Sequence, residues 1–209
     1  MSTNHAQRER AELCDLFDEV GPEVETLCDG WDTRDLAAHL VVRERRPDAA
    51  LGILARPFER HGEKVRTEYA GKDWGELVAM VRSGPPTLSP FGVPKIDELA
   101  NTMEYFIHHE DVRRPLGRGP RDLDRAFEDA LWGAMGRVSK LFLRGAPARV
   151  ELSTPDGRII AGGSGELVTV RGPVGELALF LYGRQQHAQV DLDGPDAAIE
   201  SVRTASFGV

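Results

Sequence analysis

The sequence predicts a mainly α protein in two parts, a helical bundle over residues 1–145 and a small α+β domain over residues 146–209. Three observations carry this expectation. Up to about residue 145 the apolar residues recur every three or four positions, the period of an amphipathic helix. Beyond Gly145-Ala146-Pro147 they fall in short alternating runs separated by turn residues, the pattern of strands. A hydrophobic fraction of 41% in 209 residues supplies enough apolar surface for a buried core.

The elements follow in order. Ala11, Leu13, Leu16, Phe17 and Val20 define a first helix that Gly21-Pro22 interrupts. Cys28-Asp29-Gly30-Trp31-Asp32-Thr33 reads as a turn ending in an N-cap, with Asp32 or Thr33 accepting from free N–H groups and Asp35 placing negative charge in the first turn. A second helix runs from Arg34 toward Leu54, with Pro47 as a kink or break. Trp74, Leu77, Val78 and Val81 mark a third, stopped by Ser83-Gly84-Pro85-Pro86. The proline-rich stretch 84–94 is a connection. A strong helix follows from Ile96 to Val112, closed by Pro115-Leu116-Gly117, and another from Leu123 to Leu143 with Phe127, Leu131, Met135, Val138 and Phe142 on one stripe. Four or five helices with short connections form a bundle. In the tail, residues 150–154 and 158–160 flank a Pro155-Asp156-Gly157 turn and predict a hairpin. A strand over 166–170, a helix after Pro173, a strand over 188–192 and a terminal helix after Pro195 complete the chain.

Composition removes several functions. With 26 Lys+Arg against 34 Asp+Glu the net charge is −8, which disfavours nucleic acid, whose phosphates require clustered cations. The first residues are polar and no apolar run approaches the ~20 residues that cross a bilayer, so the expectation is a cytoplasmic protein without membrane contact. Two cysteines, Cys14 and Cys28, are too few for a disulfide scaffold or a thiolate-rich zinc site. There is no GxSxG elbow, P-loop or dinucleotide fingerprint, and Gly162-Gly163-Ser164-Gly165 reads as a loop between strands. Trp31, Trp74 and Trp132 read as packing anchors, and Arg43, Arg45, Arg46, Arg113 and Arg114 as solvated helix faces.

The histidines carry what remains. Leu36, His39, Leu40 and Arg43 share one helix face, which makes His39 either a hydrogen-bonded core residue or a ligand. Glu104 and His108 are four apart, about 6 Å along a helix and just over one turn around it, so both side chains leave one face. That pair is either a surface i,i+4 contact or two ligands of one metal ion. With His39 from another helix it makes the His₂Glu set of a catalytic zinc site, with a coordination position left for water or substrate. Asp111, three beyond His108, is a candidate support or further ligand, and His109, rotated about 100° away, is structural or supporting.

Two segments carry a resemblance. Cys28-Asp29-Gly30-Trp31-Asp32-Thr33-Arg34-Asp35-Leu36-Ala37-Ala38-His39-Leu40 and Glu104-Tyr105-Phe106-Ile107-His108-His109-Glu110-Asp111-Val112-Arg113-Arg114 resemble, in order and separation, the two motifs of the mycothiol-dependent maleylpyruvate isomerase family. The chain is more similar still to small actinobacterial metal-binding relatives of that isomerase, over residues 5–145. The resemblance implies a DinB-like four-helix bundle with a divalent metal, usually zinc, held by His39, Glu104 and His108. Leu181-Tyr182-Gly183-Arg184 is similar to the tail of the isomerase, which implies that Arg184 binds the thiol cofactor. His109 is a departure and points to a different pocket wall. The expected function is therefore a zinc-dependent S-transferase or isomerase that uses mycothiol or another small thiol on an electrophilic substrate. Asp111 would orient His108, and Arg184 would pair with a carboxylate. A metal-dependent hydrolase and a non-catalytic metal- or ligand-binding protein are the alternatives, and the chain is expected to be a monomer or homodimer.

Overall fold

The computed structural model describes residues 4–49, 59–86 and 94–207, and for residues 59 and 94–100 the backbone alone. The class is as expected: helices dominate, and a small sheet occupies the C-terminal part. The chain divides into two compact units, residues 1–118 and 119–209, so the division falls ahead of the helix at 125–142 and not behind it at about 145. That helix packs on elements of the C-terminal unit, which no period in its own sequence reveals.

In the first unit, α1 (His5–Val20) begins at Asn4, whose side chain accepts from Gln7 N, and ends at Gly21, φ +81°. Helix α2 (Thr33–Arg45) begins at Asp32, whose carboxylate accepts from Asp35 N at 2.9 Å. Of the two N-cap candidates Asp32 takes the role, while the Thr33 hydroxyl donates to the Gly21 carbonyl at 2.6 Å. α2 stops at Arg45 and helical structure resumes at residues 47–49, so the chain breaks where Pro47 was expected to break it, and residues 50–54 of that expectation lie outside the described residues.

Helix α3 (Glu59–Ala70) is an element that the apolar spacing does not announce. Helix α4 (Trp74–Arg82), capped by Asp73, and α5 (Pro94–Arg113) are where they were expected. Within the 84–94 connection, residues 87–93 lie outside the described residues, and so do the side chains of Leu99 and Ala100. Leu13, Phe17, Leu36, Leu40, Leu77 and Tyr105 are buried in the core of this unit.

The second unit holds α6 (Arg125–Phe142), capped by Asp124, and a sheet of β1 (Arg149–Ser153), β2 (Ile159–Gly162), β3 (Leu167–Arg171) and β4 (Asp191–Asp193) in the order β2-β1-β3-β4. The expected hairpin is present, with Val150 opposite Gly162 and Ser153 opposite Ile159. β3 then runs parallel to β1 on its other side, so the glycine-rich loop hops across the start of β1. Gly163, at φ +76°, passes so close that a Cβ there would lie 2.3 Å from the Ala148 carbonyl oxygen, which explains the glycine. Helix α7 (Val174–Leu181) is buried at every position, and α8 (Asp196–Thr204) follows the short β4, which begins three residues later than expected.

Candidate metal centre

Helices α2 and α5 bring three residues from the two motifs together. His39 Nε2 and His108 Nε2 each lie 3.3 Å from the same oxygen, Glu104 Oε1. The ligand atoms of all three lie within 4.8 Å of one another, and the two imidazole centroids are 5.2 Å apart. His39 projects from the face of α2 toward α5, on a helix whose start is capped by Asp32. Glu104 and His108 meet through the ordinary i,i+4 geometry of α5.

The ring nitrogen of His108 that faces away from this junction also has a partner. His108 Nδ1 lies 2.9 Å from Asp111 Oδ2, which directs Nε2 toward Glu104. Asp111 is fully buried, at 0% exposure, and the Cys28 thiol donates to the same Oδ2 at 3.2 Å. The Trp31 ring packs on His39 with centroids 5.2 Å apart. His109, pointing elsewhere, places Nδ1 3.2 Å from Glu9 Oε2 on α1.

Charge fixes the protonation tendencies. Burial pushes the His39 imidazole below its ordinary range, and the hydrogen bond with Glu104 offsets only part of this. Burial alone would raise the Glu104 carboxyl, but the Arg43 guanidinium and both imidazoles outweigh it and hold the group well below the usual carboxylate range. For His108 burial works downward, yet contacts with Asp111, Cys28 and Glu104 lift it well above the ordinary imidazole range.

Two readings of the arginines need correction. Arg43 is not on a solvated face: its Nε lies 3.1 Å from Glu104 Oε1 and it donates to Asn101 Oδ1, with the side chain only 17% exposed. The signal was its place four residues beyond His39 on the same stripe. Arg113 and Arg114 are likewise drawn inward, their Nε atoms 3.0 and 2.6 Å from the buried Glu110 carboxylate. Arg184 lies in the second unit, half-buried, where its guanidinium donates to the Tyr182 carbonyl at 2.6 Å.

The donor chemistry fits a divalent cation. Two imidazoles, of which His108 would give up a proton on binding, and a carboxylate held in its charged form are the ligand types of zinc. A cavity of about 920 Å³ adjoins the cluster, lined by His39, Trp31, Val42, Glu63, Arg66 and Thr67 among others. Arg66 lies over the Trp31 ring at 4.9 Å and pairs with Glu63 at 2.5 Å and with Asp35, so this wall is held by charge as well as packing.

The architecture is that of a helical unit followed by a small α+β unit. Among solved structures it is shared by the mycothiol-dependent maleylpyruvate isomerase, with a TM-score of 0.60 at 12% identity, over 92% of this chain and 96% of that one. A histidine-to-alanine variant of that isomerase aligns over the same shares, with a TM-score of 0.59 at 13% identity. No family model and no curated protein sequence matches the chain. At this identity the likeness is one of fold. No described helix is long and apolar enough to cross a membrane.

Proposed function

We propose that the chain is a divalent-metal enzyme, with zinc as the metal, that uses a small thiol such as mycothiol to transfer or isomerise an electrophilic substrate. The observation that carries this reading is the convergence of His39 Nε2 and His108 Nε2 on one oxygen of Glu104 at the edge of a cavity. The full-length likeness to an isomerase described as mycothiol-dependent supports the thiol half. A cation at these three residues would hold a thiol as its thiolate at neutral pH.

The protein's own residues supply the setting. His39, Glu104 and His108 bind, as in a DinB-like bundle, and Asp111 keeps the His108 Nδ1 proton in place so that Nε2 faces the site. Arg43 holds Glu104 charged. Arg184 is assigned to a carboxylate of the thiol or substrate, where a guanidinium gives a bidentate pair. The hydrolase alternative needs a base beside the cation, and Asp111, its candidate, is fully buried and engaged with His108 and Cys28. That arrangement favours the thiol reading.

Metal analysis of protein purified from zinc-supplemented cells tests the proposal. Wild type is expected to hold one equivalent, and His39→Ala and Glu104→Ala none. A wild type without stoichiometric metal ends the proposal. In the cobalt-substituted protein, added mycothiol should change the visible spectrum; metal without that change would remove the thiol and leave the metal site.

A further inference from the structure

The metal reading leaves one motif unused, the turn that precedes α2. Its backbone is closed on itself: Trp31 N donates to the Cys28 carbonyl at 2.9 Å and Thr26 N to the Trp31 carbonyl at 3.1 Å. The Thr26 hydroxyl donates to the Trp31 carbonyl at 2.9 Å and accepts from Cys28 N at 3.2 Å. Gly30, at φ +73°, supplies the left-handed residue that the reversal requires. The turn is also tied to α5 at the residue that matters, because Leu27 N donates to the Asp111 carbonyl at 3.0 Å. Its two large or reactive side chains therefore have fixed separation, and they reach different histidines.

We propose that this turn is a positioning device for the metal cluster, in which Cys28 acts through Asp111 on His108 while Trp31 holds His39 by ring packing. The Asp111 carboxylate is fully buried, so its charge must be met by donors, and two of them meet at Oδ2: His108 Nδ1 at 2.9 Å and the Cys28 thiol at 3.2 Å. With the thiol in place the carboxylate keeps the rotation that presents Oδ2 to His108. Without it, Oδ2 keeps only one of these two donors and its hold on His108 Nδ1 weakens. On the other side, Trp31 covers His39 at a centroid distance of 5.2 Å and an interplanar angle of 49°, which restricts rotation of that ring. One short segment thus aligns two ligands from different helices. Cys28 is a hydrogen-bond donor in this role, grouped with Asp111 and His108.

The inference rests on the reading of His39, Glu104 and His108 as one metal site, and its test has an arm that does not need the metal. In the metal-free full-length protein, labelled with ¹⁵N-histidine, the His108 Nδ1–H resonance is expected to be visible in wild type and in Cys28→Ser, which keeps a donor. In Cys28→Ala it should be lost to solvent exchange. Zinc titration should then show an affinity about tenfold weaker in Cys28→Ala, in the range for residues that support a ligand, with Cys28→Ser restoring it. Trp31→Phe should retain zinc affinity and Trp31→Ala should lower it. An unchanged Nδ1–H signal in Cys28→Ala overturns the proposal. So does a Cys28→Ser protein that loses as much as Cys28→Ala, since that result assigns Cys28 to packing alone. If wild type binds no zinc the metal reading falls, and the Nδ1–H comparison alone decides the role of the turn.

Discussion

Two carboxylates on neighbouring helices, the buried Glu44 on α2 and the half-buried Glu104 on α5, have opposite surroundings. Glu44 Oε1 accepts from Arg10 at 2.8 Å, Asn101 Nδ2 at 3.1 Å and the Tyr105 hydroxyl at 2.9 Å, and its side chain is 2% exposed. Each of these contacts is a donor to the carboxylate, and none is an imidazole, a thiol or a second carboxylate. Glu104 is 24% exposed and meets two imidazole nitrogens and Arg43, beside a cavity. The two clusters alternate along the same helix pair, with Arg43 and Glu44 adjacent on α2 and Glu104 and Tyr105 adjacent on α5. An arginine partner is therefore common to both, and what distinguishes a site from a structural tie is the presence of ligand-type partners and open space.

The largest effect should fall on the structural tie. Glu44→Gln removes the charge of a buried carboxylate to which Arg10, Asn101 and Tyr105 all donate and should destabilise the protein by about 3–5 kcal/mol in urea unfolding. Glu104→Gln should cost less, because Arg43 keeps its bond to Asn101 and some solvent. Equal losses for the two variants would erase the distinction. The reverse holds for the metal. Zinc at a hundredfold excess over its dissociation constant should stabilise wild type by about 2.7 kcal/mol in thermal unfolding and Glu104→Gln not at all.

Much of this contrast was legible in the sequence, and for physical reasons. His39, Glu104 and His108 follow from helical spacing, and the cap at Asp32 from the chemistry of free N–H groups. Helix α3 was not legible because the described part of its sequence carries Val65 and Tyr69 as its only large apolar side chains, too few to form a stripe. The inward arginines were missed because a guanidinium on a helix looks solvated until its partner from another helix is known. Cys28 was set aside for the same reason: its partner, Asp111, is distant in sequence and adjacent in space. The parallel pairing of β1 with β3 also depends on a hop that strand alternation does not encode.

The two cysteines offer a smaller test of burial against function. Cys14 is wholly buried, and burial pushes its thiol up to about 12 from 9.0. The folded state therefore binds this proton where the unfolded chain has released it, so stability is lost as pH rises from 9 toward 12, by about 1.4 kcal/mol per unit. Cys14→Ala should flatten that alkaline limb. Cys28, half-buried in its turn, should react with a small thiol reagent in the folded protein while Cys14 waits for unfolding.

The smallest expected effect bears on both carboxylates at once. Asp32 caps α2 through Asp35 N, and α2 carries His39 and Arg43 of one cluster as well as Glu44 of the other. Removing the cap in Asp32→Ala should cost about 1 kcal/mol, because it frees one N–H at the helix start and leaves both clusters intact. Zinc affinity should be unchanged, since the ligands are fixed by packing against α5 and by the closed turn and not by the cap alone. A loss of zinc affinity with so small a loss of stability would mean that the cap itself sets the angle of His39. The boundary between the metal cluster and its structural neighbour would then lie at the start of α2, in the turn that holds Cys28 and Trp31.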